Sequence, residues 1–392
     1  MTRRLSGRWI GWALLAETIP IYPLYALLFA DSGLSDAKIS TLFLVWSAVG
    51  ILAEVPTGVL ADHFSHRGAL AASTVFQAAG YILWITVPTY LGFAAGFVLW
   101  GLGGALGSGS LEALLHGGLA AVGAEDQYPR IYGRISATRL VSQVPAAAAA
   151  TVLFATGGYA LAGWASVACC LVAAVAAARL PEEAVAAPGG DEEPELGYLA
   201  TLRVGLAEIA CSRVLLAAVV AVALLGSLDG IEEYFNLLAH EWGVPTPLIP
   251  LSLLAIPAVG AVGAALGGAA SRLRSRTLGL LLAGAVALFT GAGVLRRPVG
   301  VAGVAVAYGL YQVVLVVTDA RLQAGIAGPA RATVTSVASL GVDLCTIVLY
   351  GAWALGQPVV VAALGLALAA ALPALLRPYQ REGSPPVLDP KK

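Results

Sequence analysis

The chain has 392 residues, of which 59% are hydrophobic and only 11% are charged, with a formal net charge of −1 at pH 7. Soluble domains carry about 25% charged residues, so this composition excludes an ordinary soluble globular protein. The basic residues are scattered over the ends of apolar runs instead of forming a patch, so no nucleic-acid partner is expected.

Twelve membrane spans are predicted in chain order. Residues 68–111, 140–178 and 344–376 contain no Asp, Glu, Lys or Arg. Each stretch is roughly twice the length of one spanning helix and has a turn signal near its middle, which predicts two spans. The spans fall at about 9–30, 39–61, 68–87, 90–116, 134–156, 159–179, 208–235, 246–270, 277–295, 298–320, 332–354 and 358–377. The fold class is therefore all-α, a polytopic membrane protein.

An acidic segment divides these spans into two halves. Residues 181–196 carry six acidic residues among Pro and Gly, a composition typical of a flexible linker. This predicts an N-terminal six-helix lobe at 1–180, a cytoplasmic linker at 181–205, a C-terminal six-helix lobe at 206–378 and a cytoplasmic tail at 379–392. The halves repeat weakly, since Trp100-Gly-Leu in span four recurs as Tyr308-Gly-Leu in span ten.

Lysine and arginine positions predict the orientation. Of the 22 basic residues, only Lys38, Arg296 and Arg297 lie in loops on the side opposite the N-terminus. Cytoplasmic loops carry the excess of Lys and Arg, so both termini and the linker are expected in the cytoplasm of a multi-pass cell (inner or plasma) membrane protein.

One local motif carries a family resemblance. The segment from Glu54 to Leu70, EVPTGVLADHFSHRGAL, resembles the loop 2–3 signature of the major facilitator superfamily, with Gly58, Leu60, Ala61, Asp62, Arg67 and Leu70 at matching positions. His63, Ser65 and His66 depart from it. The Glu-x-Pro-Thr-Gly sequence and the segment from Ser108 to Ala113 are similar to a bacterial efflux-like branch. The resemblance implies two pseudo-symmetric six-helix bundles.

The same resemblance implies a gate. Gly58 would let span two approach a neighbouring helix closely. Asp62 would face the start of span eleven at Arg331 and either Arg130 or Arg134, with Arg67 completing the motif. The alternative is that Asp62 only caps a helix end.

Inserting an Asp, Lys or Arg at the middle of a span costs about 2.5–3.5 kcal/mol of free energy. Charged residues inside spans therefore usually line a cavity or form ion pairs. The proton-coupling candidates are Glu17, Glu112, His116, Arg139 and Asp343. The alternative to proton coupling is a structural pair, such as Glu54 with Arg139 joining spans two and five; the structural role is favoured for Glu54, and both roles stay open for Arg139. Asp229, Glu232 and Glu233 are outer-mouth candidates that either recruit a cationic solute or form a solvated rim, and the rim is favoured.

The predicted function is secondary active transport of a small organic solute by alternating access, with proton-coupled export favoured. The alternatives are proton-coupled uptake, or a membrane sensor or accessory protein on the same fold. Two exporter signatures are missing, since Phe97 replaces an Arg in span four and residues 145–150 lack the span-five glycine pair. The four histidines form no ligand motif, so no enzyme, metal site or cofactor is expected. A monomer is predicted.

Overall fold

The computed structural model describes residues 2–182, 212–326 and 331–376, and these ranges contain helices and no strand. Most of the predicted linker and the whole predicted tail lie outside the described residues. The helices of the first half are Thr2–Glu17, Tyr25–Asp31, Asp36–Phe64, His66–Thr86, Tyr90–Gly107, Ser110–Ala120 and Tyr128–Ala177, with 3-10 turns at Tyr22–Leu24 and Glu125–Gln127.

The second half has the same helical character. Its α-helices are Arg213–Gly226, Phe235–Glu241, Ile249–Leu253, Ala255–Ala270, Ser275–Leu295, Gly300–Gly325 and Arg331–Leu375, with 3-10 segments at Ser227–Tyr234 and Thr246–Leu248.

Within the described ranges, 11 helical segments are long and apolar enough to cross a membrane. One of them, Glu125–Ala177, has 53 residues. At about 1.5 Å per residue a continuous helix of that length would be more than twice as long as a bilayer core of roughly 30 Å. Its backbone is non-helical at Gly157 and Gly158, so it contains two spans.

Divided in this way, the described residues contain twelve spans, numbered TM1 to TM12. They are TM1 Ser6–Asp31, TM2 Asp36–Ala61, TM3 His66–Thr86, TM4 Tyr90–Ala120, TM5 and TM6 within Glu125–Ala177, TM7 Arg213–Glu241, TM8 Thr246–Ala270, TM9 Ser275–Leu295, TM10 Gly300–Ala324, TM11 Val334–Gly356 and TM12 Pro358–Leu375.

Small residues permit close packing inside each lobe. A Cβ added at Gly263 on TM8 would lie 2.1 Å from the carbonyl oxygen of Gly309 on TM10. In the first lobe, a Cβ at Gly103 on TM4 would lie 2.7 Å from the carbonyl oxygen of Ser73 on TM3. These helices pack backbone against backbone because glycine has no side chain at the crossing.

The two lobes meet along TM2 and TM11, and the helix Tyr128–Ala177 contacts the short helix Ile249–Leu253 of TM8. We call the end of the bundle where TM1 begins the terminal end, and the opposite end the far end. At the far end, Phe43 of TM2 packs its ring 5.4 Å from the ring centres of both Tyr234 and Tyr350 in the second lobe. The Tyr234 ring also stacks on Trp353.

Two hydrogen bonds cross between the lobes in this aromatic region. The Tyr25 hydroxyl of TM1 donates to the carboxylate of Glu233 on TM7, and the Tyr234 hydroxyl donates to Ser40 Oγ of TM2 at 2.8 Å. Tyr234 and Ser40 are completely buried, and Tyr25 and Glu233 are only 1% and 6% exposed. The far end is thus closed by contacts between lobes.

Candidate functional site

Three spans are interrupted along their length, and the interruptions line one cavity. In TM1, the first helix ends at Glu17 and a 3-10 turn begins at Tyr22. The intervening chain contains Pro20, and the freed backbone N–H of Ile21 donates to Ser166 Oγ at 2.9 Å. Non-helical backbone at membrane depth is tolerated where it is hydrogen-bonded within the protein or lines a cavity.

TM4 and TM7 are interrupted in a similar way. TM4 breaks at Ser108 and Gly109, where Gly109 has a φ of 72° that favours glycine. The helix that follows carries Glu112 in its first turn. TM7 changes from α to 3-10 geometry over Ser227–Tyr234, the segment that contains Glu232 and Glu233. Every interruption therefore places a carboxylate beside the cavity.

The cavity has a volume of about 600 Å³ and lies between the lobes. Its size is in the range of sites that hold small organic molecules, roughly 300–1,000 Å³. Its polar lining includes Glu17, Ser73, Thr74, Gln77, Ser108, Glu112, Arg139, Gln143, Glu232, Glu233 and Asn236. Its aromatic lining is Trp12, Tyr22, Tyr25, Tyr81, Trp100, Phe235 and Tyr308. The contacts between the lobes described above close this cavity at the far end.

Arg139 forms an ion pair with Glu17, with 3.2 Å between Arg139 Nε and Glu17 Oε1. The alternative pair of Arg139 with Glu54 is therefore wrong. TM5 packs against TM1, which brings Arg139 to Glu17, whereas TM2 packs against TM4 and TM11. Glu54 is exposed and lies within electrostatic range of Asp343 on TM11. Asp343 is also exposed, and it does not line the cavity.

Glu112 lines the cavity and accepts a hydrogen bond of 3.1 Å from the Tyr132 hydroxyl on TM5. His116, one helical turn further on, is exposed and does not line the cavity. Its ring lies 6.0 Å from that of Tyr128. The structure thus brings Glu17, Glu112 and Arg139 to one cavity and leaves His116 outside it.

Two acidic residues of TM7, Glu232 and Glu233, line the cavity. A solvated rim is wrong for Glu233, which is 6% exposed because the first lobe covers it with Tyr25. Glu232 lines the closed end of the cavity. Asp229 accepts hydrogen bonds from the Tyr308 hydroxyl at 3.0 Å and from Gln312 Nε2 at 3.5 Å.

Arg67 of the loop motif contacts the end of TM6. Glu182 accepts hydrogen bonds from the Arg67 backbone N–H at 3.0 Å and from Ser65 Oγ at 2.7 Å, and Arg67 Nε lies 3.5 Å from its carboxylate. Burial raises the pKa of Glu182, but these hydrogen bonds and the Arg67 charge lower it more, so the pKa lies below its ordinary value. This contact fastens TM6 to the start of TM3.

The other predicted gate residues are not brought together by the described contacts. The side chains of Asp62 and Arg331 lie outside the described part of the structure, and Arg130 and Arg134 are exposed. Among the described residues, a Cβ added at Gly58 would meet no atom within 4 Å, so they show no close approach of TM2 at this glycine. The gate at Asp62 stays a prediction.

The sequence matches the family model of the Major Facilitator Superfamily over residues 9–350. The chain belongs to this superfamily. No curated protein matches it significantly.

Several solved transporter structures share its fold. The nucleoside transporter NupG aligns with a TM-score of 0.74 at 14% identity, covering 95% of this chain and 99% of NupG. A bacterial homologue of the iron transporter ferroportin, in an inward-facing state, aligns with a TM-score of 0.71 at 16% identity, covering 96% of this chain and 98% of the homologue. A D-xylose-proton symporter aligns with a TM-score of 0.63 at 14% identity, covering 95% of this chain and 96% of the symporter. At these identities the likeness shows the fold alone, and the family supports a secondary transporter as the general function.

The sequence did not predict that tyrosine hydroxyls would bond the carboxylates at the cavity of this superfamily member. Tyr25, Tyr132 and Tyr308 each donate to a cavity or near-cavity carboxylate from a different span. Isolated tyrosines in apolar runs carry no spacing signal. A weak signal for the TM1 break was present in Pro20 and Pro23, because proline interrupts the helical hydrogen-bond ladder.

Proposed function

We propose that the chain is a proton-coupled secondary transporter that exports a small organic solute as a monomer. The observation that supports this most strongly is the cavity of about 600 Å³ between two lobes, closed at the far end and lined by ionisable groups. A site at a repeat interface that is accessible from one side at a time is the arrangement needed for alternating access.

The distribution of Lys and Arg supports a cytoplasmic location of the terminal end, and a cavity closed at the far end would then load solute from the cytoplasm. Rocking of the two lobes would break the cross-lobe hydrogen bonds of Tyr25 and Tyr234. The same motion would bring the terminal ends together. An exporter would then release solute at the far side.

The ion pair of Glu17 with Arg139 supports Glu17 as the coupling residue. When Glu17 takes up a proton, the attraction between the two side chains is lost and the cavity gains one positive charge. Because Arg139 lies on TM5 and Glu17 ends the first helix of TM1, protonation changes the contact between two cavity-lining spans. Glu112, held by Tyr132, is the second candidate.

Proteoliposomes containing a trapped pH-sensitive dye test this proposal. Ethidium, uridine and D-xylose serve as probe solutes, and transport of at least one should move protons in the opposite direction. Glu17→Gln should abolish solute-dependent proton movement while solute exchange without a gradient continues. Glu241→Gln makes the same chemical change at an exposed position near the end of TM7 and should behave as wild type.

Each alternative has its own outcome. Proton movement in the same direction as the solute would support uptake, and comparison of everted with right-side-out vesicles would fix the direction. Specific binding without movement of any probe would support the sensor or accessory role. Proton coupling that survives Glu17→Gln but not Glu112→Gln would transfer the coupling role to Glu112.

A further inference from the structure

Four glutamates line the cavity, and three of them have partners within the described residues. Glu17 pairs with Arg139 at 3.2 Å, Glu112 accepts from Tyr132 at 3.1 Å, and Glu233 accepts from Tyr25. The fourth, Glu232, is exposed to the cavity and has no hydrogen-bond or ion-pair partner among the residues that the structure describes.

The described residues do not balance the negative charge of the cavity. Arg139 is the one Lys or Arg among the described lining residues, and it faces Glu17. The carboxylate of Asp229, a neighbour of Glu232, already accepts hydrogen bonds from Tyr308 and Gln312. A carboxylate in a cavity with low-dielectric walls attracts a counter-charge strongly. No described side chain supplies one to Glu232.

Aromatic rings line the same cavity as this carboxylate. Tyr22 and Tyr308 both lie within electrostatic range of Glu232. The Tyr22 ring centre lies 5.9 Å from that of Trp100, and the Phe235 ring centre lies 6.3 Å from that of Tyr308. Faces of Trp, Tyr and Phe attract cations within about 6 Å of the ring centre and also provide apolar area for an organic body.

A separate observation indicates room for a ligand in the same cavity. Trp12 lines the cavity and is 4% exposed, and its indole N–H has no hydrogen-bond acceptor in the described structure. Buried donors are normally satisfied, so a donor without an acceptor beside a cavity fits a site that a solute completes.

We propose that Glu232 binds the positively charged group of the transported solute and that the solute is an organic cation with an aromatic or apolar body. This inference rests on the proposed transport function and names its substrate class. Anions are disfavoured by like-charge repulsion from Glu232. Uncharged solutes gain only the apolar contacts.

Binding to the purified full-length protein at a single fixed pH, without any gradient, tests the inference. The probes are tetraphenylphosphonium and benzyltrimethylammonium, which carry permanent positive charges, and tetraphenylborate, which has nearly the same shape as tetraphenylphosphonium and the opposite charge. Wild type should bind at least one cation and should bind tetraphenylborate at least about tenfold more weakly than tetraphenylphosphonium.

Variants of Glu232 locate the charge. Glu232→Gln should weaken cation binding by about tenfold or more, as expected for removal of one partner of a desolvated charge pair. Glu232→Asp keeps the charge and should retain most of the affinity, which also controls for folding. Glu241→Gln, exposed on the same span, should leave affinity unchanged.

Three results would overturn the inference: no binding of either cation to wild type, equal binding of the anion and cation of the same shape, or unchanged cation affinity in Glu232→Gln. The transport proposal fails separately. If cations bind as expected but no solute moves protons, the cation site stands and transport does not. If an uncharged solute moves with protons and cations do not bind, only the cation site is refuted.

Discussion

The hydrogen bond from Tyr25 to Glu233 predicts how the far end opens. Tyr25 lies on TM1 and Glu233 on TM7, and their side chains are 1% and 6% exposed. Tyr25→Phe keeps the ring and its packing but leaves the carboxylate without its donor when the lobes are closed. In the open state, water replaces the phenol, so the substitution penalises the closed state selectively.

The size of the effect follows from this single bond. Hydrogen bonds to charged groups contribute about 1.5–3 kcal/mol, and each 1.4 kcal/mol is about tenfold in an equilibrium. Tyr25→Phe should therefore raise the population with an open far end by roughly tenfold to a hundredfold. The second bridge, from Tyr234 to Ser40, remains intact and limits the shift.

Thiol labelling from the far side measures that population. Ala239, 1% exposed where the second lobe packs on the helix Tyr25–Asp31, is replaced by Cys in a protein without its native cysteines. The labelling rate by a membrane-impermeant reagent should rise in Tyr25→Phe. Tyr159→Phe is the matched control, because it removes a phenol that bonds Asp31 within the first lobe at 2.6 Å. A rate within twofold of wild type in Tyr25→Phe, or an equal rise in Tyr159→Phe, would refute the reasoning.

Two further predictions concern packing and the TM6 contact. Gly263→Ala should lower the stability of the purified protein by about 1–3 kcal/mol because the added methyl overpacks against Gly309. A Cβ at Gly268, on the same helix, meets no atom of the described residues within 4 Å, so Gly268→Ala should be neutral or stabilising by up to about 1 kcal/mol. Equal melting temperatures of the two variants would contradict this. Because the pKa of Glu182 is lowered on folding, its contribution is present above its unfolded pKa of about 4.3 and is lost as pH falls through the folded pKa. Wild type should thus be more stable than Glu182→Gln near neutral pH, with a difference that shrinks on acidification, and a difference independent of pH would argue against the contact.

Some features of this protein follow from local sequence because the bilayer imposes them. Every backbone polar group in lipid must be hydrogen-bonded, so an apolar run of sufficient length has to form a helix. The charge-free stretches, the division of residues 140–178 near Gly157 and Gly158, and the family motif around Asp62 could all be recognised without coordinates. The family model over residues 9–350 confirms the resemblance.

Pairing of charges could not be predicted in the same way. Glu17 and Glu54 lie at similar depths on neighbouring spans, so sequence position alone could not decide which of them meets Arg139. The choice depends on the packing of TM1 against TM5, which is a property of the whole lobe. The partners of Glu112 and Glu233 were missed because a tyrosine hydroxyl gives no pattern in the sequence.

By itself the sequence determined a helical membrane protein of this superfamily, with its spans, its two halves and the short set of ionisable residues inside them. Only the tertiary structure decided that TM1, TM4 and TM7 break beside one cavity and that Glu233 is buried and bonded across the lobes. It also decided that Glu232 faces the cavity without a partner in the part of the chain that the structure describes. The physical reason is that hydropathy is set residue by residue, whereas a charge in a membrane is balanced by whichever side chain the packing of distant helices brings within a few ångströms.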